Sequence, residues 1–348
     1  MMNLDMDYTL EFMKELLAIP SVGGDCEAAM ERIRREFASL HIPVKTTKKG
    51  AVFGTLTGED NQDQVLVNAH IDTLGAMVKE ILPNGRLRVA QIGGYTWTTY
   101  EGENLVVRTL DGTEYTGTLL YEKPSVHNFP EEARHEVRTE DNMEIRLDED
   151  FCSAQDVADA GICVGDYVFY DPRTVITPKG FIKSRYIDDK ACVAVMFAVI
   201  KYLTENGIRP RHTTHFYVAN YEEIGHGVSY IPENTKEMLS IDIGTAGIGH
   251  TSDEHSVTIC AKDSRTPYDY GFRKRLTELA RQAGIEYRVE VHNRYGSDAS
   301  LCVVRGADVN FACIGPGTDA SHHYERTHVD ALRNTAELLK EYLIRSTG

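Results

Sequence analysis

His70 and Asp72 stand two residues apart in NAHIDTLG, so on an extended backbone their side chains share a face. Four further segments carry residues of the same kind. YIDDKACV supplies Asp188 and Asp189, NYEEIGHG supplies Glu222 and Glu223, and SIDIG supplies Asp242. GTDASHHYERTH crowds together Asp319, His322, His323, Glu325 and His328. Imidazole and carboxylate are ligands of zinc and its neighbours, and a closely spaced cation pair needs a bridging carboxylate and excess negative charge. A catalytic centre of that type also needs a carboxylate that is not a ligand, to take a proton from an activated water. One of two adjacent glutamates can do this while the other binds metal.

Taken singly, each segment has a plainer reading. His70 could be a satisfied buried histidine, Asp188 a helix cap, the glutamate pair a solvated loop, and His328 a structural group near the final turn. Asp242 resists such a reading. SIDIG otherwise looks like a buried strand, and an unpaired buried carboxylate costs several kcal/mol. Five segments of this kind in one chain make coincidence a poor explanation.

The elements that must position these residues are α/β in pattern. Leu10, Met13, Leu16 and Leu17 define the apolar face of a first helix stopped by Pro20, and Met30, Ile33, Phe37 and Leu40 that of a second. AVFGTLTG and the Val-rich QVLVNAHID read as strands, the latter buried on both faces. After Ile176, helices and strands alternate. DDKACVAVMFAVIKYLTENG is a helix closed by Gly207, TTHFYVANYEEIG a strand running into a loop, and EMLSIDIG a strand. YGFRKRLTELARQAGI is a helix, VNFACIGPG a strand, and VDALRNTAELLKEYLIRS a closing helix. The chemistry-bearing residues fall at strand ends, where open α/β sheets build their sites. The fold class read from this pattern is a three-layer αβα domain.

Between about Val78 and Ile176 the texture changes. Turn signals at Asn84-Gly85, Asp111-Gly112 and Gly165-Asp166 separate alternating runs such as RLRVAQI, LVVRTL and DYVFYD. This predicts a small all-β barrel-like insertion at 78–176, with residues 1–77 and 177–348 forming the α/β domain. HNFPEEARHEVRTEDNMEI reads as a charged surface excursion, and Trp97 as either an interface anchor or a core residue.

The chain has 348 residues and a net charge of −16, which argues against a nucleic acid or an anionic membrane as partner. No apolar run is long enough to span a bilayer. The stretch MMNLDMDYTLEFMKELL is acidic and amphipathic and does not read as a signal peptide. The seven scattered cysteines form no CxxC pair, read as reduced thiols and point to the cytoplasm.

The order HxD, DD, EE, D, H resembles the co-catalytic metallopeptidases of the aminopeptidase clan. The sequence is most similar to peptidase family forty-two, the glutamyl and tetrahedral aminopeptidases, also labelled cellulases or endoglucanases. The strings HIDTLGAMV, DDK, EEIGHG, IDIG and YGSDAS carry the resemblance, which runs from the first helix to the last. It implies that His70 and Asp242 bind one metal and that Glu223 and a C-terminal histidine bind the other, with Asp188 bridging. Glu222 would be the general acid/base, and Asp72 would orient His70 and tune its basicity. His322 is the C-terminal ligand by its offset from VNFACIGPG, with His323 the alternative. Asp298, in YGSDAS, would shape the site. The cofactors implied are two divalent ions per subunit, zinc first, with cobalt or manganese as alternatives.

The sequence departs from the family in three places. Cys192 stands where a glycine is usual, and Thr73 where an acidic residue is common. SHHYERTH replaces a string close to RYxHS, with Glu325 and Arg326 open to a local ion pair or a substrate contact. The activity implied is hydrolysis of N-terminal residues from peptides. Hydrolysis of a small N-acyl or amide substrate at the same site is the first alternative. A glycosidase using Glu222 and Asp188 comes next, and a non-enzymatic interaction module last. The inserted domain of the family packs subunits into dimers and then a twelve-subunit tetrahedron, so a homo-oligomer is expected.

Overall fold

The computed structural model describes residues 3–345. They form two compact units, one made of the chain up to Asp72 and from Arg173 onward, the other of Thr73–Pro172. The insertion therefore starts and ends a few residues before the 78–176 suggested by texture. Its first strand, Gly75–Ile81, already begins within GAM. At the other end Val175–Ile176 pairs with Phe181–Ser184 in the larger sheet.

That sheet is mixed and twelve-stranded. At its centre Asp60–His70 runs parallel to both His212–Ala219 and Thr235–Ile241, and the latter runs parallel to Asn310–Asp319. These four strands deliver their C-terminal ends to one edge, which brings distant stretches of chain to one place. Register fixes the arrangement, with His70 opposite Ala219 and Ile241 opposite Ile314. Val65, Leu66, Val67 and Ala69 are all buried, which is why QVLVNAH is continuous rather than alternating. Leu66, Tyr217 and Met238 pack with Ala299 and Cys302 of the helix Asp298–Val304. Helix Ile187–Glu205 is buried on nearly every side, as its all-round apolar sequence requires. It packs against the strand Asp60–His70 and the helices Met6–Ala18 and Val329–Ile344.

Some periodicity details differ. In Met6–Ala18, Thr9 and Phe12 join Met13, Leu16 and Leu17 in the core, while Leu10 is only half-buried. Leu40 lies just past the helix Glu27–Ser39 and is likewise half-buried. Ser346, expected in the closing helix, lies outside the described residues.

The inserted unit is a closed six-stranded barrel. Alternation puts Leu105, Val107, Leu119 and Tyr121 inside it, and Tyr100 stacks on Tyr170 at 3.9 Å between ring centroids. Trp97 is buried in this core, which decides for the packing reading. The charged stretch after His127 is only partly an excursion. Glu132–His135 forms one helical turn with no buried residue, but Met143 and Ile145 belong to a barrel strand and its core. Gly85 and Gly112 take φ of 79° and 89° at the turns read from Asn-Gly and Asp-Gly. Among the described residues no helix is long and apolar enough to cross a membrane.

Candidate active site

Strand ends and the loops after them supply each polar group. His70 ends the strand Asp60–His70, and Asp242 lies one residue beyond Thr235–Ile241 rather than inside it. Glu222 and Glu223 follow the strand His212–Ala219 in a turn whose preceding residue, Tyr221, has φ of 67°. Asp188 and Asp189 begin the helix Ile187–Glu205 with non-helical backbone and a cis peptide between them, and the cap residue is Tyr186, at φ 66°. The acidic pair is therefore not a conventional N-cap. His322 also has positive φ, 61°, and Ala320 has 57°. Non-glycine residues at positive φ are uncommon and gather where function fixes the backbone.

Asp188 is the centre of the cluster. Its Oδ1 lies 3.2 Å from His70 Nε2, and its Oδ2 lies 3.5 Å from His322 Nε2. His322 Nε2 is 3.4 Å from Glu223 Oε2, and His70 Nε2 is 3.7 Å from Glu222 Oε2. Potential ligand atoms of His70, Asp188 and Glu223 lie within 4.8 Å of one another, as do those of His70, Glu222 and Asp242. Asp188, Glu222, Glu223, Asp242 and His322 line one cavity of about 610 Å³, with Arg265, Arg294 and Tyr295 on its wall.

The carboxylates are crowded. Burial pushes the carboxyls of Glu222 and Asp242 well above the usual range and raises Glu223 to about 7. Asp188 goes the other way. Burial acts to raise it, but hydrogen bonds from His322 and His70 outweigh burial and hold it low. Burial also disfavours the His70 imidazolium, yet hydrogen bonds to Asp188 and Asp72 raise its pKa well above the ordinary value. The ring nitrogens of His70 and His322 thus face the carboxylates from both sides. A donor set of two imidazoles and several buried carboxylates, one presenting an oxygen to each side, fits divalent cations.

Supporting contacts revise several expectations. His70 Nδ1 meets the backbone carbonyl of Asp72 at 3.1 Å, closer than the Asp72 carboxylate at 3.5 Å. The Asp72 carboxylate also accepts the backbone N–H groups of Glu222 and Glu223. Asp298 accepts from Val228 N at 3.0 Å and Asn68 Nδ2 at 3.3 Å, bracing the loop beyond the glutamates. Cys192 is fully buried within the helix Ile187–Glu205, while Thr73 is also buried. His323 is exposed and outside the cavity, its Nδ1 accepting the N–H of Tyr324. Asp319 pairs across the strand with Arg326, and His328 caps the last helix by accepting from Asp330 N.

The expected pair of Glu325 with Arg326 is absent. Arg326 binds Glu254 at 2.6 and 2.8 Å. Glu325 is buried and accepts the backbone N–H groups of Asp188 and His322, each at 3.2 Å. Asp189 likewise accepts the backbone N–H of His70 at 3.1 Å. Neither role was readable from spacing. Glu325 meets Asp188 across 137 residues and Asp189 meets His70 across 119, and Arg265 and Arg294 gave no motif at all.

Residues 50–338 match the model of the M42 glutamyl aminopeptidase family. YhfE of Bacillus subtilis (strain 168), named as an aminopeptidase, is 44% identical over 336 residues, covering 96% of this chain and 97% of its own. A TET aminopeptidase structure from Thaumarchaeota archaeon SCGC AB-539-E09 superposes with a TM-score of 0.88 at 20% identity, covering 97% of each chain. The TET1 peptidase of Pyrococcus horikoshii, which assembles into a tetrahedron or a large octahedral shell, gives 0.84 at 21% identity over 97% of this chain and 100% of its own. On the sequence match, the fold and the convergent site together, the chain belongs to the M42 glutamyl aminopeptidase family.

Proposed function

We propose that the protein is a metal-dependent aminopeptidase that releases N-terminal residues from peptides. The observation that carries this reading is Asp188 set between His70 and His322, one carboxylate oxygen toward each. His70 and Asp242 would hold one divalent ion, Glu223 and His322 the other, and Asp188 both, with zinc preferred by the imidazoles. Bound there, the ions supply Lewis-acid polarisation of a carbonyl and a water acidified towards neutrality.

The chain's own residues do the rest. Glu222 is partly buried beside His70, and its desolvation makes its carboxylate a stronger base than an exposed one. It takes the proton of the attacking water and passes it to the leaving amine. Asp72 fixes the turn that carries Glu222 and Glu223 into the cavity, where Glu223 would hold an ion. Arg265 and Arg294 on the wall present cations to an acidic side chain or a substrate carboxylate.

Glu222→Gln tests the assignment. Turnover should fall by about 10²–10⁴ with metal content unchanged, and retained turnover excludes Glu222 as the proton carrier. A panel of free and N-acylated aminoacyl substrates, run with and without a chelator, separates peptide trimming from deacylation and from metal-free glycoside hydrolysis. We further infer a homo-oligomer built from dimers, by similarity to the TET1 assemblies, and a reducing, cytoplasmic setting supported by seven unpaired thiols.

A further inference from the structure

A second group of metal-competent side chains lies outside the catalytic set. Tyr287–Val291 pairs only with Val257–Lys262 among the described strands. Glu290 and His292, two apart at its end, share a face. His250 comes from the loop after the strand Gly244–Ala246. Ligand atoms of these three residues lie within 4.8 Å of one another.

Their surroundings are specific. Glu290 Oε2 accepts the N–H groups of Thr251 at 2.6 Å and Ser252 at 3.0 Å, and the Thr251 hydroxyl at 3.0 Å. Its Oε1 accepts Val291 N at 2.9 Å and lies 3.5 Å from His250 Nδ1. These donors aim the carboxylate and keep it ionised. His292 is 1% exposed. Its Nδ1 lies 3.0 Å from the Thr245 hydroxyl, whereas its buried Nε2 has no hydrogen-bond partner among the described residues. A buried ring nitrogen without a partner is costly, and an ion is one of the few things that explains it.

We propose that His250, Glu290 and His292 form a further divalent-cation site, separate from the catalytic ligands, that takes zinc or another imidazole-preferring ion. Two imidazoles and a carboxylate are a zinc donor set with one position left for water. The partial exposure of His250 gives the ion a way in. Its place in the fold suggests a bracing role. The His292 ring lies 4.6 Å from that of Tyr295, and Tyr295 and Thr245 line the catalytic cavity. An ion here ties the loop carrying His250 to the strand behind that wall.

Equilibrium dialysis of the chelator-stripped full chain against Zn²⁺ tests this, with folding checked by circular dichroism. Wild type should hold one ion per chain more than His250→Ala, and one more than His292→Gln. The readout is the difference between wild type and variant, so it stands however many ions the catalytic centre takes. Equal zinc content in wild type and folded His250→Ala overturns the proposal. His250 sits on a loop and is partly exposed, so this variant decides the matter even if His292→Gln does not fold.

Discussion

Asp72 accepts the backbone N–H of Glu223 through Oδ2 at 3.1 Å, and that of Glu222 through Oδ1 at 3.0 Å. One carboxylate thus positions a proposed ligand and the proposed proton carrier together, across a sequence gap of 151 residues to Glu223. Asp72→Asn keeps the shape but turns an NH₂ group toward one of the two N–H donors. With metal saturating, kcat should fall about 10–100-fold, the usual cost of disturbing a group that orients ligands. Steady-state kinetics check this, and an unchanged kcat would remove Asp72 from the positioning role.

Glu325 does the same for Asp188 and His322. Glu325→Gln leaves one of those backbone N–H groups facing an amide NH₂. Metal affinity should weaken by roughly 10–100-fold, measured by competition with a chromophoric chelator. Arg326→Gln, which removes the pair with Glu254 and the contact of the guanidinium over the Phe181 ring but touches no proposed ligand, should leave affinity within about twofold, since exposed ion pairs contribute little.

Stability should depend on pH through His215, which is buried in the strand His212–Ala219. Burial pushes its imidazolium down to about 4 from an ordinary 6.5. Its Nε2 lies 2.7 Å from Gln64 Oε1 and its Nδ1 2.9 Å from the Thr55 hydroxyl. Between these two values the unfolded chain binds more protons than the folded one. The His215 contribution is therefore intact above about pH 6.5 and is lost as pH falls towards 4, by about 3 kcal/mol in all. His215→Gln should flatten this window in denaturant-unfolding series, and an unchanged pH slope would refute the assignment.

The barrel offers a contrast between core and surface. Leu119 is fully buried and Leu110 fully exposed. Leu119→Ala should cost about 2–5 kcal/mol, and Leu110→Ala less than about 0.5 kcal/mol. Denaturation midpoints measure both, and equal effects would contradict the barrel as described.

Strands and site could be read from the sequence to different depths, and the strand order not at all. QVLVNAHID, SIDIG and VNFACIGPG announced buried strands because they are mostly apolar and carry no charged residue until the chain reaches the site. That made His70 and Asp242 legible, as polar groups without a local reason. Glu222 and Glu223 followed from the same logic at the end of His212–Ala219. Asp72 was found beside His70, but its contacts with Glu222 and Glu223 were not, because two residues of spacing say nothing of backbone donors brought in from the far side of the insertion. Glu325 was left open between a local ion pair with Arg326 and a substrate contact, and neither reading put it under the backbone of Asp188 and His322. Burial between Asp188 and His322 is a long-range fact. The insertion's edges were blurred because GAM, the start of a barrel strand, has the same texture as the strand and loop before it.

Anomalous diffraction from crystals of the zinc-loaded chain, collected on either side of the zinc edge, reads the centre directly. The account predicts two peaks in the cavity, one against His70, Asp188 and Asp242, the other against Asp188, Glu223 and His322. A single peak among these residues, or none, would contradict it.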